Sequence, residues 1–272
     1  QGFFGLIYGT AEKPAVIKNL MLIDANVVNG TEETYGSQIG LLAGCAVNAK
    51  ISGCIASGSI YGSTQLGGLV GYATSTEIIN CGTNVNIHSH DNYAYVGGIT
   101  GYAQYSKMYN SYSISNVDVS NVLKEEYLSI GGIAGFASGS EFYSCYKNCT
   151  VKSEYSDYLK AEMNYEGISG IFLEEVSREE FLAALIRVAD AYVTESQWGE
   201  DTEGVFNSMP VPVSRDNATY FIAPVVSSEG KLESDNLMVK AGETVTLTAY
   251  GDFTGVEITD MRKEKLDVDV TF

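Results

Sequence analysis

Gly67-Gly-Leu-Val-Gly-Tyr-Ala73 returns as Gly97-Gly-Ile-Thr-Gly-Tyr-Ala103 and again as Gly131-Gly-Ile-Ala-Gly-Phe-Ala137. Gly5-Leu-Ile-Tyr-Gly-Thr-Ala11 and Gly40-Leu-Leu-Ala-Gly-Cys-Ala46 are weaker copies, and Glu166-Gly-Ile-Ser-Gly170 is a last, incomplete one. The steps between first positions are 35, 27, 30, 34 and 35 residues, in the range that marks a repeat architecture. A second element follows each glycine string: Val16-Ile-Lys-Asn-Leu20, Lys50-Ile-Ser-Gly-Cys54, Glu77-Ile-Ile-Asn-Cys81, Lys107-Met-Tyr-Asn-Ser111 and Glu141-Phe-Tyr-Ser-Cys145. A short run closes the unit, as in Val85-Asn-Ile87, Val117-Asp-Val119 and Cys149-Thr-Val151. Apolar positions alternate with period two, so these runs read as strands.

A unit of about 30 residues with three short strands cannot bury its apolar face alone, whereas stacked copies bury it continuously. Each strand then pairs in parallel with its counterpart in the next unit, about 4.8 Å away. The expected fold is therefore all-β, a right-handed parallel β-helix of about five coils over residues 1–170. Gly67, Gly68, Gly71, Gly97, Gly98, Gly101, Gly131, Gly132 and Gly135 are assigned to corners, where a positive φ or close backbone approach favours glycine. A phosphate cradle is rejected, because neither a helix nor Lys-Ser/Thr follows the string.

Stacking turns repeats into columns. Ile17, Ile51, Ile78, Met108 and Phe142 form one that should be core, worth roughly 1.5–3 kcal/mol per side chain. Lys18, Ser52, Ile79, Tyr109 and Tyr143 then face outward. Cys54, Cys81 and Cys145 share a column with Leu20 and Ser111 and read as buried free thiols. A Cys54–Cys81 disulfide is the alternative, and a metal set lacks converging, paired ligands. Tyr109 and Tyr143, with Tyr112 and Tyr146 three places on, read as a ladder or as a platform for a sugar ring or protein partner.

The Gly-Gly-Leu-Val-Gly-Tyr string followed by Ile-Ile-Asn-Cys resembles the GLUG motif of bacterial secreted and surface proteins, including the non-catalytic part of some immunoglobulin A peptidases. The resemblance covers about residues 4–170. It implies a β-helical extracellular stalk or adhesin-like segment, located outside the cell or on its surface. It implies no catalytic residues, since the peptidase chemistry of that family belongs to a separate zinc domain with His-Glu-x-x-His, a string this sequence lacks. Leu41 and Glu166 depart from the glycine pattern.

Residues 171–214 change character. Ser177-Arg-Glu-Glu180 fits a capping box, and Phe181, Leu182, Leu185, Ile186, Ala189, Tyr192 and Val193 recur at helical spacing. An amphipathic helix over 178–193 is expected to cover the open end of the β-helix, with Trp198 as packing beyond it. The run Trp198-Gly-Glu-Asp-Thr-Glu-Gly204 lacks calcium-loop spacing and reads as a solvated acidic loop. Residues 215–272 hold short alternating runs and resemble a small immunoglobulin-like β-domain, short for a full sandwich. Since the first copy begins within residues 2–5, the sequence reads as a piece of a larger protein with a cap upstream.

The chain of 272 residues carries a net charge of −18, which makes nucleic acid and anionic membranes poor partners. No apolar run is long enough to span a bilayer, and the first residues have no basic signal-peptide region. Five cysteines are odd in number and too few for a disulfide scaffold. His88-Ser-His-Asp91 places His88 and His90 on one face of a strand, so with Asp91 they form a weak metal candidate; a surface loop is the plainer reading. Asp91, Asp118 and Asp157 are scattered rather than paired, so glycan hydrolysis has no carboxylate pair. No catalytic residue and no cofactor is assigned.

The expectation is a non-catalytic, monomeric, adhesin-like segment of a secreted or surface-bound bacterial protein. The alternative is a module that binds a host glycan or surface protein through outward tyrosines. A glycan-active β-helix enzyme comes third. A flat aromatic strip across coils would favour the second reading, and a carboxylate cluster in a groove the third.

Overall fold

The computed structural model describes residues 1–28, 38–90, 93–120, 128–153, 165–170, 175–192, 196–202, 204, 206–214 and 221–222. They form a parallel β-helix. Sheet A holds Phe4–Tyr8, Ala43–Val47, Val70–Thr74, Thr100–Gln104 and Ala134–Ser138, and sheet B holds Ala15–Lys18, Ala49–Ser52, Glu77–Ile79, Lys107–Tyr109 and Glu141–Tyr143. Sheet C holds Met21–Val28, Ile55–Gly62, Gly82–Ser89, Tyr112–Asp118, Cys145–Lys152 and Ile168–Gly170. Sheet D holds Gln38–Gly40, Gln65–Gly67, Tyr95–Gly97 and Ser129–Gly131. The chain visits A, B, C and D in turn, so the described residues make four full turns and a partial fifth. A turn thus has four strands rather than three. The extra one is the three-residue run that ends on the first glycine of each string. It is too short to announce itself by alternation.

Register follows the columns. Ile17 pairs with Ile51, Ile51 with Ile78, Ile78 with Met108 and Met108 with Phe142, and all five are buried. Cys54, Cys81 and Cys145 are fully buried free thiols in the same core. Of the outward neighbours, Lys18 and Tyr143 are exposed and Tyr109 is half-buried, but Ser52 and Ile79 are buried.

The corners are made differently from the expectation. None of the nine motif glycines has a positive φ. The left-handed positions are Asn19, Gly53, Asn80, Asn110 and Ser144 at the B–C corner, and Asn48, Ser75, Tyr105 and Gly139 at the A–B corner, all with φ between +46° and +61°. Asparagine tolerates this region because its short amide bonds locally. The next residue often closes the corner with a bond to the carbonyl two places back. Ser111 Oγ reaches Tyr109 O at 2.8 Å, Ser106 Oγ reaches Gln104 O at 3.0 Å, and the Cys81 thiol reaches Ile79 O at 3.3 Å. The motif glycines serve close approach instead: a Cβ on Gly67 would lie 2.0 Å from Val70 O, and one on Gly98 2.1 Å from Gly132 O.

Helix α1 spans Arg178–Tyr192. Its start is the anticipated capping box: the Ser177 amide donates to Glu180 Oε2 at 2.9 Å, and the Glu180 amide donates to Ser177 Oγ at 3.2 Å. An antiparallel pair, Ser196–Gly199 with Val211–Ser214, follows. The helix lies on the flank of the solenoid, not over its end. Met21, Ile55, Gly82, Tyr112 and Tyr146 form an outward column on sheet C that is too apolar for water. Phe181, Leu185, Trp198, Phe206, Met209 and Val211 bury it in a second core. Gly82 makes room for its neighbour, since a Cβ there would sit 3.0 Å from Tyr112 Cζ. The described residues between 178 and 212 thus form a strap laid across the coils.

Of residues 215–272, Phe221–Ile222 are described. They add a parallel strand to sheet C beside Met21–Leu22 of the first coil. The other runs of the expected immunoglobulin-like domain lie outside the described residues, as do Asp91 and Asp157.

Candidate binding surfaces

The tyrosines singled out in the sequence divide. Tyr109 and Tyr143 stack with centroids 5.0 Å apart and planes 7° apart. Each ring spends one face on the other, and the Tyr143 hydroxyl donates to Glu141 Oε2 at 2.6 Å. Glu141 also pairs with Lys107 at 3.2 Å, a surface contact of little energetic weight. That is a ladder with a polar clasp. Tyr112 is not an outward ligand residue: it is fully buried under the strap. Its ring meets Phe181 and Trp198 at 5.3 Å, and its hydroxyl donates to Pro210 O at 2.5 Å. Burial raises its pKa well above the usual phenol value. Tyr146 is half-buried against Phe181.

A larger aromatic feature lies inside the glycine string itself, on the outer face of sheet A. Tyr72, Tyr102 and Phe136 are register partners on successive coils. Tyr72–Tyr102 and Tyr102–Phe136 centroids are 5.3 Å apart, with planes tilted 36° and 31°. Tyr95 of sheet D joins them, 5.4 Å from Tyr102 and 5.3 Å from Phe136. Below the strip, Cys45 and Leu6 continue the column, and Leu6 is 39% exposed. Tyr72 donates to Gln104 Oε1 at 2.6 Å. The aromatic in sixth place of the three full strings, Tyr72, Tyr102 and Phe136, is a signal legible in the sequence.

The opposite character appears on sheet C. Asn26, Ser59, Asn86, Asn116 and Thr150 stand in register on its outer face. Ser59 Oγ donates to Asn26 Oδ1 at 2.8 Å, and Asn116 Nδ2 donates to Asn86 Oδ1 at 2.9 Å. Beside this ladder the sheet register shifts between Leu22 and Ala25. Asp24 there takes φ +53° and Gly58 takes φ +133°. Gly58 is obligatory, because a Cβ would lie 1.8 Å from Ala25 O. Bulges of this kind re-aim side chains and gather at functional places. Here the bulge and the strap's Phe206-Asn207 turn enclose a cleft of about 440 Å3. The turn is fixed by Asp201, whose Oδ2 accepts from the Phe206 amide at 2.7 Å and the Ser208 amide at 2.9 Å.

Against known proteins, no family model, curated protein or solved structure matches the chain. The remaining candidates from the sequence are accounted for locally. His88 Nδ1 lies 3.8 Å from Asp118 Oδ2, and His90 stacks on Tyr61 at 5.0 Å. Asp118 is bonded by the Ser120 hydroxyl and amide and by Lys152 Nζ at 3.0 Å, and these contacts lower its pKa to about 2. Among the described residues no three His, Cys, Asp or Glu side chains gather as a metal set. Burial raises the pKa of the Cys81 thiol and pushes that of Cys145 up to about 11, which leaves little thiolate for reaction.

Proposed function

We propose that this chain is a non-catalytic, adhesin-like segment of a secreted or surface-attached bacterial protein, and that its outer aromatic strip engages an extracellular protein. One observation carries the reading: half-buried rings of Tyr72, Tyr102 and Phe136, joined by Tyr95, run across three successive coils. A β-helix needs no such strip to close its core, which lies on the other face of the sheet. Because the rings lean on one another, they offer edges and hydroxyls rather than open faces. A pyranose stacks on an open face, whereas aromatic edges with polar tips suit a protein interface, where Tyr and Phe are enriched. The resemblance to GLUG repeats of bacterial surface proteins supports the same reading.

The test is an array of extracellular host proteins and glycans, probed with the chain and with a Tyr95→Ser, Tyr102→Ser variant. The reading expects a protein partner that the variant loses. Protein binding that survives the variant takes recognition off the strip, and a folded chain that binds no protein leaves a spacer at this face.

A further inference from the structure

We infer that the cleft between the sheet C bulge and the strap is a binding site for a neutral saccharide unit, separate from the aromatic strip. Its polar lining comes from Asp24, Asn26, Ser57, Ser59, Asn84 and Asn86 on three adjacent coils, with Asn207 of the strap at the rim. The chemistry of that set selects the ligand. Sites of this volume usually have apolar walls with a few polar groups. Here amides and hydroxyls dominate, so an apolar ligand would leave them unpaired, at real cost. Among the described residues no Lys, Arg or His lines the cleft, so none of them compensates a phosphate, sulfate or uronate. The chain's charge of −18 opposes any anion further. Asp24 is the one carboxylate among the described lining residues, too few hard oxygen charges for a dedicated calcium cage.

What remains is a ligand that both donates and accepts at short intervals. The side chains recur about 4.8 Å apart from coil to coil, the strand spacing. Their hydrogen-bonding capacity is only partly used internally. The Ser59 bond occupies Asn26 Oδ1 but not its Nδ2, the Asn116 bond occupies Asn86 Oδ1 but not its Nδ2, and Ser57 Oγ accepts from the Asp24 amide at 3.0 Å while keeping its own proton to donate. Two amide NH2 groups, serine hydroxyls and a carboxylate that accepts from adjacent hydroxyls match a row of sugar hydroxyls. The site is also preformed: the bulge sets Asp24 and the Asp201 clasp sets the opposite wall, so binding orders few groups.

The experiment is an NMR titration of the whole chain, following the side-chain amides of Asn26, Asn84 and Asn86. The probes are chitotriose, mannotriose and cellotriose, with trigalacturonate as the acidic comparison. The inference expects those amides to shift with at least one neutral trisaccharide, and trigalacturonate to bind at least tenfold more weakly. An Asp24→Ala, Asn84→Ala variant should lose tenfold or more in affinity, while Tyr102→Ser leaves it unchanged. If the double variant does not fold, the titration of the unaltered chain decides alone. No shift at these amides with any neutral trisaccharide, equal binding of trigalacturonate, or full affinity in a folded double variant overturns the inference. Loss of saccharide binding in Tyr102→Ser would place the sugar on the strip and overturn it as well.

Discussion

The side-chain amide of Asn110 donates to Leu185 O at 2.9 Å and to Asn80 Oδ1 at 2.8 Å, so one buried residue joins two coils and the strap. It does this from a left-handed backbone, φ +46°. Asn110→Ala should cost about 3–4 kcal/mol, combining roughly 1–2 for a non-glycine residue held in that region with about 1 for each of the two lost bonds. Asn110→Gly keeps the corner and loses only the bonds, so it should cost less. Urea unfolding of both variants checks the order; equal losses would show that the corner conformation carries no weight.

The motif glycines are not equivalent. A Cβ on Gly98 would meet Gly132 O and Ser113 Oγ, both at 2.1 Å, whereas the nearest atoms to one on Gly132 belong to the Lys147 side chain, Cδ at 2.6 Å and Cβ at 2.7 Å. The Gly132 carbonyl is fixed in the ladder, whereas the Lys147 Cδ and Cγ can turn away and leave only its Cβ to be accommodated by a small shift. Gly98→Val should therefore abolish folding or lower Tm far more than Gly132→Val, as circular dichroism melting would show.

Thiol reactivity reports the column directly. Cys54, Cys81 and Cys145 are fully buried, while Cys45 and Cys149 are partly exposed. Ellman's reagent should modify only the latter two in the native chain, and all five cysteines in denaturant. Rapid native labelling of Cys81 would mean that the strands are out of phase.

Asp118 carries a pH signature. Its folded pKa of about 2 lies below the ordinary 3.8, chiefly through the Ser120 hydroxyl. A depressed carboxylate pKa contributes stability that is present above the unfolded value and is lost as pH falls through the folded one. The Asp118 contribution should therefore fade between about pH 4 and pH 2, and be absent below. Ser120→Ala should raise the pKa toward 3.8, measured by carboxyl NMR titration, with little change in stability at pH 7 because the group is solvent-screened.

The repeat was legible because stacking makes its period visible. Ile51, Ile78 and Met108 fell on the core face as read, and Ser177 with Glu180 began the helix as read. Two things were not legible. The strap's position depends on pairs such as Tyr112 with Pro210, 98 residues apart, and no local pattern encodes that distance. The cleft depends on a register slip at Asp24, visible only once Ala25 is set against Gly58. The tyrosines misled for a related reason. Alternation says that Tyr112 leaves the core of the solenoid, but not that a second core waits outside it.

That second core changes how the molecule should come apart. A stack of coils with only nearest-neighbour contacts unfolds like a one-dimensional array, fraying from an end one unit at a time. Here a single covering segment touches Met21 of the first coil, Ile55 of the second, Tyr112 of the fourth and Tyr146 of the fifth, and Phe221–Ile222 pair back onto the first. Losing any coil loosens the segment from all the others. The chain should behave less like a row of dominoes than like a bundle under one cord, with its ends protected from hydrogen exchange nearly as well as its middle.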